Sequence, residues 1–265
     1  MGRITLEFKF LIYEKNEGIA TITINRPEAL NAFNKDVVEE VLQALADVKS
    51  DEGIRVVVLT GAGEKAFSAG ADVKAMKGMN ALKARELSMM GERLCLAFEN
   101  LEKPVIAALN GYALGGGLEV AMSCDLRIAS ENSRMGQTEV NIGLIPGWGG
   151  TQRLTRLVGR TKAKELVYTG KMIDAKTAEQ IGIVNMVVAA DKLRETVRQF
   201  ALDLASKPPV ALKVAKILID KGAEIGLDSA LALEREGFGV VASTEDLQEG
   251  VSAFTEKRKP LFKGK

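Results

Sequence analysis

The segment KPVIAALNGYALGGGLEVAMSCDLRIAS (residues 103–130) contains the order of elements that decides the fold. Residues 104–109 are a short uncharged apolar run, which predicts a buried strand. Asn110-Gly111 is a turn signal, glycines occupy 115–117, and residues 118–124 have the composition of a buried helix. Glycines at such a junction allow close approach of a ligand and leave backbone amides free to bind it. The segment therefore predicts a strand, a turn with exposed amide donors, and a buried helix.

Two carboxylates stand out in and after this segment. Glu119 interrupts the apolar helix, and burying a charge there is costly without a compensating role. A salt bridge to an arginine is the structural alternative, but a position just past exposed amides favours a chemical site. Glu139 follows in ENSRMGQTEVNIGLIPGWGGTQR (131–153), which ends in a glycine cluster ahead of a predicted helix. A carboxylate in a loop is usually solvated, so its candidacy depends on the combination of motifs.

The same order of strand and helix occurs earlier in the chain. Residues 8–13 and 19–24 are rich in β-branched and aromatic residues and are separated by a turn signal at 16–18, which predicts a hairpin. Asn34 is a candidate N-cap for an amphipathic helix whose apolar face contains Val37, Val38, Val41, Leu42, Leu45 and Val48. A buried strand is predicted at 54–60. This alternation predicts an α/β fold with a largely parallel sheet.

Strands are predicted only in the first part of the chain, and the C-terminal part is predicted to be helical. A long helix is predicted within the mixed region at 81–100, and a short strand at 184–188 ends that region. Further helices are predicted at 151–158, 162–168, 175–181, 192–205, 209–221, 228–241 and 245–254. We therefore predict a mixed core over 1–190 that contains the site, and a helical region over 191–265.

Composition excludes several classes of function. The 265 residues carry a net charge of +1, which gives no electrostatic basis for binding nucleic acid or an acidic membrane surface. The chain contains no histidine, so His-based nucleophilic triads and His metal sites are excluded, and we expect no metal. The two cysteines lack zinc-ligand spacing. Without an apolar leader or a run of about 18 apolar residues, we expect a cytoplasmic protein that does not enter a membrane.

Three motifs together resemble those of the enoyl-CoA hydratase, or crotonase, superfamily. They are AFSAGAD (66–72), NGYALGGGLEVAMSCD (110–125) and GQTEVNIGLIPGWGGTQRL (136–154). The similarity runs from NRPEALNAFN (25–34) to FTEKRK (254–259) and is strongest to short-chain enoyl-CoA hydratases. The resemblance implies a crotonase-type spiral of ββα turns. It also implies a helical C-terminal region that builds trimers, which pair into hexamers.

The resemblance implies roles for particular residues. Glu119 and Glu139 match the two carboxylates that move protons to and from one water and the substrate. The backbone amides of Ala71 and Gly116 match an oxyanion hole, and the amide of Gly147 matches one that holds the water. Two carboxylates in one apolar pocket do not both ionise easily, so one can donate a proton while the other accepts.

The resemblance also implies contacts with the substrate, an acyl-CoA thioester; no separate cofactor is expected, because coenzyme A is part of the substrate. Lys74, Phe254 and Lys257 are expected near the adenosine and its phosphate, although a solvated basic tail is an equally simple interpretation of the C-terminus. Bulk at the acyl end predicts a preference for short chains of four to six carbons, unless Trp148 packs into the core instead. The full set of expected contacts is Ala69, Asp72, Lys74, Met76, Trp148, Phe238, Phe254 and Lys257.

The predicted activity is reversible hydration of a trans-2-enoyl-CoA to the 3-hydroxyacyl-CoA, a step of fatty-acid and lipid metabolism. A sister activity on the same scaffold, such as double-bond isomerisation, is the nearest alternative. An RNA-binding relative is a distant one, and the near-neutral charge gives it little support. A catalytically silent scaffold subunit is disfavoured because both glutamates are present.

Overall fold

The computed structural model describes residues 7–265 as two stacked sheets surrounded by helices. The strands are β1 Leu11–Asn16, β2 Ile19–Ile24, β3 Val56–Gly61, β4 Ala66–Ser68, β5 Val105–Leu109, β6 Tyr112–Leu114, β7 Leu126–Ser130, β8 Arg134–Gly136, β9 Ile173–Asp174 and β10 Met186–Val188. The larger sheet has the strand order β1-β2-β3-β5-β7-β10, and the smaller has the order β4-β6-β8-β9. The helices are α1 Lys35–Ser50, α2 Ala81–Glu99, α3 Gly116–Ser123, α4 Gly150–Thr169, α5 Ala175–Gln180, α6 Leu193–Ala205, α7 Pro209–Gly222, α8 Leu227–Ala242 and α9 Glu245–Thr255.

Successive turns of the chain follow one pattern. Each turn places one strand in the large sheet, the next strand in the small sheet, and then a helix: β3-β4-α2, β5-β6-α3 and β7-β8-α4. Within each sheet, the strands of neighbouring turns are parallel. The chain therefore forms a spiral of ββα turns, as predicted, and groups from different turns are brought together along one side.

The apolar core lies on both faces of the large sheet. On one face, α1, α2 and α3 pack against the strands with side chains such as Val41, Phe98 and Leu118, all of them buried. On the other face, α6 contributes Leu193 and Val197 to a second cluster. This helix falls in the region 191–265, so that region begins with an integral layer of the core. The boundary at 190 stays a prediction.

Several local predictions are confirmed. The hairpin forms from β1 and β2, and the Asn34 side chain accepts a hydrogen bond from Val37 N at the start of α1. The helices predicted at 151–158 and 162–168 both form within Gly150–Thr169, separated at Gly159, whose φ of 76° and ψ of 160° are not helical. The small sheet was not predicted, since three of its strands have only three residues and β9 has two.

Two asparagine side chains fix the segment that links the two sheets ahead of the site. Asn110 donates to the carbonyls of Gly61 and Gly63 at 2.9 and 2.7 Å, and Asn31 donates to Ala66 O at 2.7 Å. These side-chain amides thus hold both ends of the turn between β3 and β4. Among residues 7–265, no helix is long and apolar enough to cross a membrane.

Candidate active site

A cavity of about 830 Å³ lies where three successive turns of the spiral meet α2. Its walls come from the segment after β4, from the β6–α3 junction and from the segment between β8 and α4. The predicted site residues that line it are Ala69, Ala71, Met76, Gly116, Glu119, Glu139, Gly147 and Trp148. The spiral thus brings together residues that are far apart in the sequence.

Backbone amides donate hydrogen bonds to the Glu119 carboxyl group. Its side chain projects from α3 and the residue is 2% exposed. One oxygen, Oε1, accepts hydrogen bonds from Trp148 N at 2.7 Å and from Gly150 N at 2.6 Å. Burial raises the pKa of Glu119, while the amides of Gly150 and Trp148, the charge of Arg153 and the amide of Gly147 lower it. Donors to the charged form make Glu119 suited to accept a proton.

Glu139 lies in a different environment on the next turn. It begins a short 3₁₀ helix, Glu139–Ile142, and burial raises its pKa to about 7, with the nearby charge of Glu119 adding to the rise. With its amide nitrogen turned towards Glu139, the buried Gln137 donates to Oε1 at 3.0 Å and to Oε2 at 3.2 Å. Burial thus favours the protonated form of Glu139 near neutral pH, whereas the hydrogen bonds from Gln137 favour the charged form.

Two backbone amides face the cavity beside these carboxylates. Strands β4 and β6 are parallel neighbours, so the segments that follow them lie side by side, and a Cβ placed on Gly116 would lie 3.3 Å from Ala71 N. Within the described part of the chain, neither Ala71 N nor Gly116 N has a hydrogen-bond acceptor. Gly116 also opens α3, whose dipole favours negative charge at that end. The pair can stabilise an anionic oxygen.

Trp148 combines the two interpretations that the sequence left open. Its indole lines the cavity and is also buried in the core, at 3% exposure, with the indole N–H donating to Leu87 O at 3.1 Å. A Cβ on Gly91 of α2 would lie 2.0 Å from the indole, and a Cβ on Gly116 would lie 2.9 Å from it. The indole therefore occupies a slot between two glycines and forms a fixed wall.

The remaining predicted contacts lie outside the cavity of the single chain. Asp72 caps the 3₁₀ helix Val73–Met76 by accepting from Lys74 N, and it is paired with Arg26 at 3.4 Å. Phe238 on α8 and Phe254 on α9 are 77% and 85% exposed. Neither phenylalanine lines the cavity of the single chain, nor does Lys257, so their roles in binding substrate stay predictions.

Three residues of the site were missed from the sequence. Gln137 precedes Glu139 by two positions, and the local motif GQTE was the available signal. Arg153 and Glu99 form an ion pair beside the cradle of Glu119, with Arg153 Nε donating to Glu99 Oε1 at 2.5 Å. The two residues are 54 positions apart in the sequence and belong to different helices, so no local pattern indicated the pair.

The arrangement supports proton transfer at a polarised carbonyl. Two carboxyl groups and two free amides face one cavity, and the two carboxyl groups have different hydrogen-bond partners there. Across residues 7–265, no group of three or more cysteine, aspartate or glutamate side chains could hold a metal ion.

The family comparison agrees with this chemistry. Residues 14–265 match the family described as "Enoyl-CoA hydratase/isomerase". The chain is 49% identical to the short-chain-enoyl-CoA hydratase of Clostridium acetobutylicum over 254 residues, covering 96% of this chain and 97% of that protein. It is 44% identical to the crotonyl-CoA hydratase of Syntrophomonas wolfei over 257 residues, covering 97% and 99%.

A solved structure shows the same architecture. The enoyl-CoA hydratase of Bacillus anthracis superposes with a TM-score of 0.94 at 41% identity, covering 97% of this chain and all of that one. The match includes both sheets and the helical C-terminal region, since so little of either chain is left out. The sequence, the fold and the relatives agree: the chain belongs to the enoyl-CoA hydratase/isomerase family and is an enzyme of enoyl-CoA hydration, a hydro-lyase.

Proposed function

We propose that this hydratase uses Glu119 as the base and Glu139 as the acid in adding water to a short-chain trans-2-enoyl-CoA. The observation that carries the proposal is the contrast between the two carboxylates. Burial raises the pKa of both groups, but at Glu119 two backbone hydrogen bonds oppose the rise, whereas the pKa of Glu139 reaches about 7. A water between them can lose a proton to one while the substrate gains a proton from the other.

In the proposed step, the water oxygen bonds to C3 of the enoyl group and its proton passes to Glu119. The π electrons move towards the thioester, so negative charge develops on its oxygen. The amides of Ala71 and Gly116, which have no acceptor in the described chain, stabilise that charge. Glu139 then protonates C2, and the product is the 3-hydroxyacyl-CoA. The step is redox-neutral, and we propose that it needs no cofactor besides the coenzyme A carried by the substrate.

The preference for acyl chains of four to six carbons is supported by the wall at Trp148. Its indole is held on both sides by backbone at Gly91 and Gly116, so it cannot swing aside for a longer chain without moving a helix. The two relatives whose printed names specify short-chain and crotonyl substrates favour the same range.

The test is hydration of crotonyl-CoA, followed by loss of the conjugated-thioester absorbance, with product analysis. We expect 3-hydroxybutyryl-CoA, and we expect Glu119→Gln and Glu139→Gln each to lower kcat by about 10²–10⁴-fold, the usual contribution of an acid–base group. Glu86→Gln, an exposed carboxylate of α2 outside the cavity, is the matched control. A shifted double bond as the product would favour isomerisation, and near-normal turnover in either variant would exclude its proposed role.

We also propose a homo-oligomer, a trimer or a hexamer, located in the cytoplasm and serving lipid metabolism. The last three helices leave large apolar side chains exposed, among them Leu227, Phe238, Val251 and Phe254. Such a surface favours association with other copies of the chain. Light scattering coupled to gel filtration would give the number of subunits.

The proposed location in the cytoplasm rests on the cysteines. The two free, buried cysteines are consistent with a reducing compartment.

A further inference from the structure

We propose that Arg153 and Glu99 act as a positioning pair that holds the backbone cradle of the catalytic base Glu119. The inference rests on the proposed function, because it assigns the cradle a part in catalysis. Both donors to Glu119, Trp148 N and Gly150 N, belong to one short segment that leads into α4, whose first residue is Gly150.

The peptide unit between those two donors is fixed by Arg153. Its Nη1 donates to Trp148 O at 2.7 Å, on the carbonyl that joins Trp148 to Gly149. Gly149 has a φ of +102°, and a Cβ there would lie 2.0 Å from Nη1. The guanidinium therefore occupies space that only glycine leaves open. It orients the Trp148–Gly149 peptide, and the peptides on either side of it supply the two amides that donate to Glu119.

Glu99 in turn fixes the guanidinium. Arg153 Nε donates to Glu99 Oε1 at 2.5 Å and Nη2 donates to Oε2 at 2.9 Å, so the pair is bidentate. The Arg153 side chain is 14% exposed and that of Glu99 is 33% exposed. All three nitrogens of the planar group thus have an acceptor, which a lysine could not reproduce.

The placement of the pair is unfavourable for the helices themselves. Glu99 is the last residue of α2, and Arg153 lies in the first turn of α4. The helix dipole favours acidic groups at the N-terminus and basic groups at the C-terminus, so each residue sits at the disfavoured end. Helix stability therefore does not account for the pair, whereas holding the cradle does. The positive charge of Arg153 also counteracts the burial that raises the pKa of Glu119.

The experiment compares Arg153→Met, Arg153→Lys and Glu99→Gln with the wild-type enzyme, using Arg160→Met as the control. Arg160 is an exposed arginine of the same helix, outside the cavity. We expect Arg153→Met to lower kcat on crotonyl-CoA by about 10–100-fold, less than the 10²–10³-fold loss of a direct oxyanion donor, with KM little changed. Its acidic pH limb should move to higher pH, and Arg153→Lys should lose kcat with a smaller shift.

A readout independent of turnover separates this inference from the proposed function. The carboxyl resonance of Glu119, in protein labelled with ¹³C at glutamate and assigned with Glu119→Gln, should titrate at higher pH in Arg153→Met than in the wild type. If the wild type does not hydrate crotonyl-CoA, the proposed function fails and this titration alone decides the positioning role. An unshifted titration, or a kcat loss that follows lowered thermal stability with an unchanged pH limb, would show a purely structural ion pair.

Discussion

Truncating Trp148 should lengthen the acyl pocket. Trp148→Ala removes an indole that is 3% exposed, lies between Gly91 and Gly116, and meets Phe33 edge-on at a centroid distance of 5.7 Å. The space left opens from the cavity towards Gly91 of α2, because the indole now fills that part. We expect longer acyl chains to enter that space.

The magnitude follows from the volume removed. Each methylene that a pocket accepts or rejects changes discrimination by about 1–3 kcal/mol, so room for even one of them should raise the C10 to C4 ratio of kcat/KM at least ~5-fold. The same truncation should lower the free energy of unfolding by about 3–5 kcal/mol, the usual cost of removing a large buried aromatic side chain. It also leaves Leu87 O without its donor.

The assay measures kcat/KM on crotonyl-CoA and decenoyl-CoA, after circular dichroism has shown that the variant is folded. Trp148→Phe is the matched control, because it keeps an aromatic wall and loses the N–H bond to Leu87, so its ratio should change little. Gly91→Ala provides a second check. Its Cβ would overlap the indole in the wild type, and it should be tolerated far better alongside Trp148→Ala. An unchanged C10 to C4 ratio in folded Trp148→Ala would refute the reasoning.

Two further predictions concern the oxyanion donors and the acid. Gly116→Pro removes a proposed donor at the first position of α3, where proline is favoured. Its kcat should be about 10²–10³-fold lower than that of Gly116→Ala, which keeps the N–H. Equal rates in the two variants would exclude this amide. For Glu139, whose pKa burial raises to about 7, kcat/KM for hydration should fall as the pH rises through that value, and a flat profile from pH 6 to 9 would contradict its role. The folded-state pKa of Glu139 lies above the ordinary 4.5, so the stability that its protonated form contributes is present below about pH 4.5 and is lost as the pH rises through about 7. Over this pH range the free energy of unfolding of the wild type should therefore fall relative to that of Glu139→Gln. Urea titrations at several pH values measure this difference.

The large sheet and its helices could be predicted from the sequence because their signals are local. Asn34 marks the start of α1 as a cap, and uncharged apolar runs mark β3 and β5. The small sheet could not be predicted in the same way. Strands such as Tyr112–Leu114 are too short to show alternation, and they are strands only because the spiral stacks them.

The chemical groups of the site were predictable, but much of their support was not. Glu119 and Glu139 lie in motifs that carry the family resemblance. The slot for Trp148 depends on Gly91, which in the sequence is an unremarked glycine inside a helix. The bond from Arg153 to Glu99 joins residues from different turns of the spiral, so it exists only after the chain has folded.

The position of Trp148 has an optical consequence. It is the single tryptophan of the chain, and it forms a wall of the cavity beside the cradle of Glu119. Indole emission depends on the polarity and rigidity of its surroundings, so the tryptophan fluorescence of the whole protein originates at one wall of the active site. Occupancy of the acyl pocket, local loosening of α2 and global unfolding can each be followed there without a label. Selective excitation of the one tryptophan, apart from the three tyrosines, thus lets ligand binding and site integrity be measured in the unmodified enzyme.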